Sequence, residues 1–200
     1  MRASELLDIA RAELNYVGKK SNKDLDIPEA NPIGNFTKYA RDMYEAGYFN
    51  GSKQGFAWCT TFNVWCGWVA CGKNKELAES IFPVGPLSAG VKYHKMYYAN
   101  KGRVGTEPKV GACIYFKDST GELAHVGWVE KIEGNTVYTI EGNASQKVQR
   151  KSYNINYNRI DSYSYPFYEE EPEPQPTEDW ETLASWTDND GKELRLQKHK

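Results

Sequence analysis

The chain of 200 residues is 40% hydrophobic and 14% aromatic, which suffices for one domain with a substantial core and leaves little room for a second. Its formal net charge is -2, but residues 169–200 hold four bases and ten acids, a net of -6, whereas residues 1–168 hold 21 bases and 17 acids, a net of +4. Because a charge of +4 is also common on proteins that bind no polyanion, it carries little weight, and we expect no nucleic acid partner.

The sequence also argues against membrane insertion and against a bound zinc ion. It has no run of about eighteen apolar residues, and acids interrupt the apolar pattern at its beginning, so we expect no membrane span and no signal peptide. The four cysteines contain no C-x-x-C pair, and with only three histidines they favour neither a disulfide framework nor a Cys/His zinc site. We therefore expect a protein that is made in the cytoplasm.

Two helices are predicted near the beginning of the chain. Apolar residues at spacings of three and four predict a helix over residues 4–17, with Ser4 as its N-cap and Gly18 as its end. The same spacing predicts a second helix over residues 35–46, which Gly47 ends.

The segment between these helices, residues 18–34, contains two prolines and is predicted to be a loop. Asp24 and Asp26 in this loop offer carboxylate oxygens for calcium, but the spaced ligands and the glycine of an EF-hand are missing. We expect no cofactor, with calcium as the weaker alternative.

A third helix is predicted over residues 59–71, where small or apolar side chains recur at 59, 62, 66, 69 and 70 and give one buried face. A glycine-containing loop at residues 48–55 precedes it, so Cys59 opens the helix. The N-terminus of a helix stabilises a thiolate, which makes Cys59 a candidate nucleophile; the alternative is a small buried residue, as free cysteines usually are. Further helices are predicted at 74–81 and 88–99, with His94 on the surface.

The remainder of the chain predicts strands rich in β-branched and aromatic residues, at 110–117, 124–132, 136–141, 147–153 and 163–168. Residues 133–135, Glu-Gly-Asn, are typical of a hairpin turn. Helices followed by an antiparallel sheet predict an α+β fold.

The predicted hairpin brings a base and two orienting groups together. A turn centred on residue 134 pairs residue i with about residue 268 minus i, which places His125 near Asn143 and within a few residues of Glu141. An imidazole can take the proton of a thiol, and a carboxylate or amide on its other nitrogen fixes the tautomer. The alternative is a structural histidine at a sheet edge with a solvated glutamate.

Four segments, taken in order, resemble the CHAP family of cysteine, histidine-dependent amidohydrolases/peptidases. They are residues 58–62 (Trp-Cys-Thr-Thr-Phe), 111–116 (Gly-Ala-Cys-Ile-Tyr-Phe), 125–127 (His-Val-Gly) and 140–143 (Ile-Glu-Gly-Asn). The resemblance covers about residues 1–168 and implies a papain-like fold, in which N-terminal helices pack on an antiparallel half-barrel sheet. It also implies peptidoglycan cleavage, as in phage endolysins and bacterial wall hydrolases.

Carried over residue by residue, the resemblance implies Cys59 as nucleophile, His125 as base, Glu141 as orienting acid and Asn143 as the accompanying amide. Many members have Gln shortly before the cysteine and Gly-Asp before the strand that carries the histidine, whereas this chain has Ala57-Trp58 and Gly111-Ala112-Cys113. The oxyanion or substrate contacts are therefore expected from Gln54, from Trp58, or from the backbone N–H of Cys59.

The function implied is a peptidoglycan hydrolase, an amidase or an endopeptidase, that works through a cysteine thioester. One alternative is an NlpC/P60-type peptidase, which would need a polar partner, commonly a second histidine, in place of Glu141. Another is a wall-binding module without catalysis, with tryptophans such as Trp58, Trp65, Trp68 and Trp128 along a glycan groove. We expect a monomer that acts on the bacterial wall, released at lysis or carried by a phage particle, without a membrane partner.

The domain is predicted to end near residue 168. Residues 169–178 contain five Glu and three Pro and nothing apolar, which is typical of an extended linker. Residues 179–200 are too few for a core of their own, and we expect a disordered tail or an incomplete wall-binding unit.

Overall fold

The computed structural model describes residues 1–29, 33–170, 180–188, 190, 191 and 193–199. By their internal contacts these residues form two compact units, Met1–Glu169 and Glu170–Lys200. The helices of the first unit are α1 (Ala3–Ala12), α2 (Lys38–Glu45), α3 (Cys59–Ala70), α4 (Lys75–Ile81) and α5 (Val91–Ala99). Its strands are β1 (Val104–Gly105), β2 (Cys113–Lys117), β3 (Leu123–Glu133), β4 (Thr136–Ala144), β5 (Lys147–Asn154) and β6 (Ile160–Ser164).

The strands of the first unit form one sheet in the order β1-β6-β2-β3-β4-β5, and all of the pairings are antiparallel. Helices come first in the chain and the sheet follows, so the predicted α+β class is confirmed. No helix in the described part of the chain has the length and apolar character needed to cross a membrane.

Helix α1 is shorter than predicted, because its last predicted turn pairs with the sheet instead. The helix ends at Ala12, and Asn15 takes a left-handed conformation with φ of 72°. The Asn15 N–H then donates to Val148 O, and the Val148 N–H donates to Tyr16 O. Side-by-side pairing with β5 therefore outweighs the helical periodicity of this segment.

Helix α3 is buried on all sides rather than on one face. Ten of its twelve residues are buried, from Cys59 to Trp68. Helices α1 and α2 pack on it, and so do β3 and β4. Close approach is possible because Gly142 in β4 lies against Phe62, where an added Cβ would come within 2.5 Å of the Phe62 Cβ. The helix that begins with Cys59 thus runs through the centre of the unit.

Alternate residues of the sheet build two cores, as the period of two along a strand requires. In β2, Cys113 and Tyr115 face the helices, whereas Ile114 and Phe116 belong to a second cluster on the opposite face. Val129 and Val137 join this second cluster from β3 and β4. Both faces of the sheet are therefore covered near the β3–β4 hairpin.

The predicted register of the β3–β4 hairpin is confirmed at Trp128 and Val129, the paired residues of β3 that lie nearest to His125. Trp128 pairs with Ile140 and Val129 with Thr139, so each pair sums to the expected value of 268. Closer to the turn an irregularity between Val129 and Lys131 shifts the pairing by one residue.

Several boundaries differ from those predicted from the sequence. Strand β2 begins at Cys113, after Gly111 with φ of 79°, and β6 covers Ile160–Ser164 rather than 163–168. The prediction for His94 is wrong: the side chain is 1% exposed, and its Nδ1 lies 2.7 Å from the Tyr115 hydroxyl. Burial lowers the pKa of His94 to about 3, so it is a neutral core residue.

The second unit contains a two-stranded antiparallel hairpin of β7 (Trp180–Thr187) and β8 (Glu193–His199). The sequence analysis did not predict these strands. Of the predicted linker, residues 171–178 lie outside the described residues.

Candidate active site

The candidate nucleophile lies at the first residue of α3. The first helical hydrogen bond runs from the Phe62 N–H to Trp58 O at 2.9 Å, so the N–H groups of residues 59–61 belong to the turn that has no helical acceptor. This end of a helix carries partial positive charge, which favours a thiolate on Cys59. The adjacent Thr60 hydroxyl donates to Ala89 O and so attaches this turn to the loop before α5.

The imidazole of His125, on β3, connects the thiol to a carboxylate. Its Nε2 lies 2.8 Å from Glu141 Oε2, and its side chain is 25% exposed. The Cys59 side chain lies near enough to contribute to the raised pKa of His125. Since Nε2 faces Glu141, Nδ1 is the nitrogen left for the sulfur. The structure therefore brings Cys59, His125 and Glu141 together, with a hydrogen bond between the last two.

Burial lowers the pKa of His125, but its interactions with Cys59 and Glu141 outweigh this effect and raise the pKa to about 10. The imidazole is therefore protonated at neutral pH. An imidazolium next to the sulfur stabilises a thiolate, which is the reactive form of cysteine.

Glu141 is held in place from three sides. The Thr139 hydroxyl donates to Glu141 Oε1 at 2.6 Å, and Tyr153 on β5 lies near the carboxylate. Gly127, two residues after His125 on the same face of β3, leaves room for the Glu141 side chain, because a Cβ there would come within 2.6 Å of Glu141 Cγ. Glu141 itself is 1% exposed, so it is not the solvated glutamate of the alternative interpretation.

Asn143 stands at the irregularity of the β4–β5 pairing between Glu141 and Ala144, with a left-handed φ of 57°. The structure records no hydrogen bond between its side chain and His125, although both residues are described. Its expected role as the accompanying amide therefore stays a prediction.

In the structure, Gln54 bonds with the backbone of Thr37, and Trp58 packs in the core. The Gln54 amide accepts from the Thr37 N–H at 2.8 Å and donates to Thr37 O at 2.9 Å, which fixes the preceding loop to the start of α2. Trp58 is 0% exposed and packs against Tyr16 and Tyr39. The Trp58 side chain thus belongs to the core, and its expected contact with substrate stays an untested prediction.

The two aspartates considered as calcium ligands make other contacts, Asp26 through its carboxylate and Asp24 through its backbone carbonyl. Both carboxylate oxygens of Asp26 accept from the Arg41 guanidinium, at 2.7 and 2.8 Å. Asp24 O accepts the Ile27 N–H in a tight turn. Among the described residues, no group of three or more His, Cys, Asp and Glu side chains is arranged to hold a metal ion.

The remaining cysteines differ from Cys59 in their surroundings. Burial raises the pKa of Cys66, Cys71 and Cys113, the last to about 12. All three are therefore thiols at neutral pH and poor nucleophiles.

A groove of about 290 Å³ lies against the loop that leads into α3. One wall is the loop that leads into α3, including Phe56 and Ala57, and the other includes Leu87, Ala89 and Tyr93. Phe56 is 65% exposed and Tyr93 43% exposed, so the walls offer apolar surface to a ligand. The groove contacts the same loop that the Thr60 hydroxyl binds at Ala89.

Thr139 and Gly127 are the site residues that the sequence analysis missed. A signal for both existed in the period of two along a strand, since Thr139 precedes Glu141 by two residues and Gly127 follows His125 by two. Neither residue type is itself reactive, and so neither attracted attention as a candidate.

Solved structures with a similar fold include "The crystal structure of Ly7917", at 16% identity and a TM-score of 0.47, covering 83% of this chain and 62% of that one. "The crystal structure of Ly7917 with the hydrolyzing product of MDP" matches at 15% identity and a TM-score of 0.50, with 83% and 63% covered. The chain thus spans less than two thirds of the length of these relatives, and identities this low bear on the fold alone. A comparison with curated proteins finds no match.

The family model of the CHAP domain matches residues 51–143, a range that contains Cys59, His125, Glu141 and Asn143. This match confirms the resemblance to the CHAP family that was inferred from the sequence.

Proposed function

We propose that this protein is a peptidoglycan hydrolase that cleaves an amide bond through a thioester on Cys59. The observation that carries the proposal is the His125–Glu141 hydrogen bond beside Cys59, which opens a buried helix, within a match to the CHAP domain. For the fold we propose a papain-like arrangement, in which a helix delivers the cysteine to a histidine on the sheet.

In the first step the Cys59 thiolate attacks the carbonyl carbon of the amide. A C–S bond forms, and the electron pair of the carbonyl moves to its oxygen. When this oxyanion collapses, the C–N bond breaks, and the His125 imidazolium gives its proton to the departing amine. The products of this step are a thioester on Cys59 and a neutral imidazole.

In the second step water attacks the thioester carbon while the neutral His125 takes a proton from it. The C–S bond breaks, the acyl group leaves as a carboxylic acid, and the thiolate and imidazolium are restored. Glu141, buried and bonded to Nε2, keeps the ring oriented through both steps and offsets its positive charge.

The oxyanion of both steps is assigned to the backbone N–H of Cys59, at the positively charged end of α3. Gln54 is left out of this role because its amide already bonds with the Thr37 backbone through both of its ends.

Two alternatives are less well supported. An NlpC/P60-type site would place a group such as a second histidine on His125, whereas the structure has Glu141 there and buries His94 against Tyr115. A wall-binding module with tryptophans along a groove would need exposed rings, whereas Trp58, Trp65, Trp68 and Trp128 are between 0% and 9% exposed.

The substrate proposed is bacterial peptidoglycan, bound by a monomer at the wall. The groove against the loop that leads into α3 is open and partly apolar, which suits a polymer rather than an enclosed small molecule. Ly7917 was crystallised with the hydrolysing product of MDP, so MDP is a reasonable soluble test compound for this chain as well.

Digestion of purified peptidoglycan, followed by mass spectrometry of the fragments, tests the proposal and separates amidase from endopeptidase cleavage. We expect new amine and carboxyl ends at one type of bond with the native chain, and none with Cys59→Ala. Cys71→Ala is the matched control, because Cys71 is buried at the other end of α3. Equal digestion by native protein and Cys59→Ala, or no digestion by native protein, would refute the proposal.

A further inference from the structure

Thr139 is buried beside the carboxylate that orients the candidate base. It is 0% exposed, it stands on β4 two residues before Glu141 and on the same face, and its hydroxyl donates to Glu141 Oε1. Glu141 Oε2 is the oxygen bonded to His125. The two oxygens of one carboxylate are therefore divided between Thr139 and His125.

We propose that Thr139 is a positioning residue of the reaction, whose hydroxyl fixes the plane of the Glu141 carboxylate so that its second oxygen stays on His125. This inference rests on the proposed function and adds a fourth member to the series that ends at Cys59. Thr139 does not touch the reacting atoms, and it acts only through Glu141 and His125.

The surroundings explain why a hydroxyl is needed at this place. A carboxylate that is withdrawn from water requires donors for both oxygens, and each missing donor is costly. Gly127 provides space for the Glu141 side chain but has no side chain to donate. Tyr153 on β5 lies near the carboxylate and is only half-buried. Thr139 is thus the fully buried donor.

The charged and titratable groups around Glu141 come from several elements. His125 faces it from β3 and Tyr153 from β5, while Cys59 on α3 reaches it through His125. Lys151 pairs with Thr139 across the β4–β5 ladder but is exposed. Thr139 is neutral, so its replacement changes the position of the carboxylate without changing the number of charges.

Three variants separate positioning from packing. Thr139→Val keeps the shape and removes the hydroxyl, Thr139→Ser keeps the hydroxyl, and Thr136→Val makes the first change at the start of the same strand. With peptidoglycan fragments as substrate, we expect Thr139→Val to lower kcat about tenfold at nearly constant KM. Thr139→Ser and Thr136→Val should retain most of the activity, and thermal melting should confirm that all three fold.

A second measurement needs no substrate and is independent of the proposed function. In a Cys59→Ala background, which removes the coupled thiol, NMR titration of the His125 ring reports how firmly Glu141 holds it. We expect Thr139→Val to lower the pKa of His125 by about one pH unit, and Thr139→Ser to leave it unchanged. His94, neutral and buried, serves as an internal reference.

The two measurements distinguish the possible failures. A native protein that cuts no peptidoglycan, together with a lowered His125 pKa in Thr139→Val, would refute the function and keep the positioning role. An unchanged pKa, or equal loss in Thr139→Ser and Thr139→Val, would overturn the inference, because the methyl group and not the hydroxyl would then be what matters.

Discussion

At the scale of single residues, the site is built from one reactive group and several that control it. Cys59 supplies the sulfur, His125 the proton, and Glu141 the orientation, while Gly127 and Thr139 fix the position of Glu141. The control groups are more buried than the histidine they act on, since Glu141 is 1% exposed and the His125 side chain 25%. Substitutions of these buried residues should therefore change the pKa and the orientation of His125.

Glu141→Gln should move the alkaline limit of kcat/KM to lower pH and reduce turnover. The imidazolium is the proton donor, and the pKa of His125 of about 10 sets the pH at which it is lost. A neutral amide no longer offsets the positive ring, so this pKa falls. A pH series of initial rates measures the shift, with Glu122→Gln, an exposed acid just before β3, as control. An unmoved alkaline limit would show that Glu141 does not act on His125.

The same pKa has a consequence for stability. The pKa of His125 in the folded protein lies above its ordinary value of about 6.5, so the folded state binds this proton more tightly than the unfolded chain does. The resulting stabilisation is fully present below about pH 6.5 and is lost as the pH rises through about 10. Urea unfolding at pH 6 and pH 10 should show a smaller difference in Glu141→Gln than in the native chain.

Gly127→Ala should reduce turnover about tenfold or more, because the new Cβ would come within 2.6 Å of Glu141 Cγ and displace the carboxylate from His125. Activity assays on Gly127→Ala, Glu141→Ala and the double variant test this cause. In the double variant the Cγ is gone, so Gly127→Ala should add little further loss. Additive losses would mean that Gly127 acts by another route.

At the scale of elements, the β3–β4 hairpin was the part of the site most accessible to sequence reasoning. Its turn residues fix the register locally, and the pairing of Trp128 with Ile140 follows from them. The burial of Trp58 and His94 was not foreseeable in the same way, because it depends on which elements pack together. The early end of α1 has the same origin, since the pairing of Asn15 with Val148 joins distant parts of the chain.

Asn143→Ala should lower the free energy of unfolding by about 1 kcal/mol relative to Asn143→Gly, because its φ of 57° is costly for a residue with a Cβ and free for glycine. Urea denaturation of the two variants measures the difference. Measurements of turnover then distinguish the effect of the backbone conformation from the effect of the side-chain amide. If both variants lose activity equally, the amide takes part in the reaction, as the sequence predicts. Equal stability of the two would contradict the conformational argument.

At the scale of the whole molecule, the residues proposed for catalysis all belong to the unit Met1–Glu169. The ends of this unit meet, because the Met1 amino group pairs with the Glu169 carboxylate at 2.6 Å and the Glu169 N–H donates to Met1 O. The compact unit ends at Glu169, and the domain boundary near residue 168 stays a prediction.

A chain truncated after Glu169 should fold and cleave soluble wall fragments as fast as the full chain, because residues 170–200 form a separate compact unit. Circular dichroism and a soluble-fragment assay measure both properties. A second truncation after Phe167, which removes the pairing of Glu169 with Met1, should melt at a lower temperature. Loss of turnover in the longer truncation would show that the C-terminal residues contribute to the site.

The burial of ten of the twelve residues of α3 has a consequence for how this protein loses activity on heating. A nucleophile carried on a surface loop can be lost by local opening while the rest of the fold persists. Here Cys59 is the first residue of α3, and α1, α2, β3 and β4 all pack on this helix. The sulfur therefore cannot move away from His125 without disrupting the central core. Heat inactivation should therefore coincide with cooperative melting of the first unit, and an inactive but otherwise native form should not accumulate.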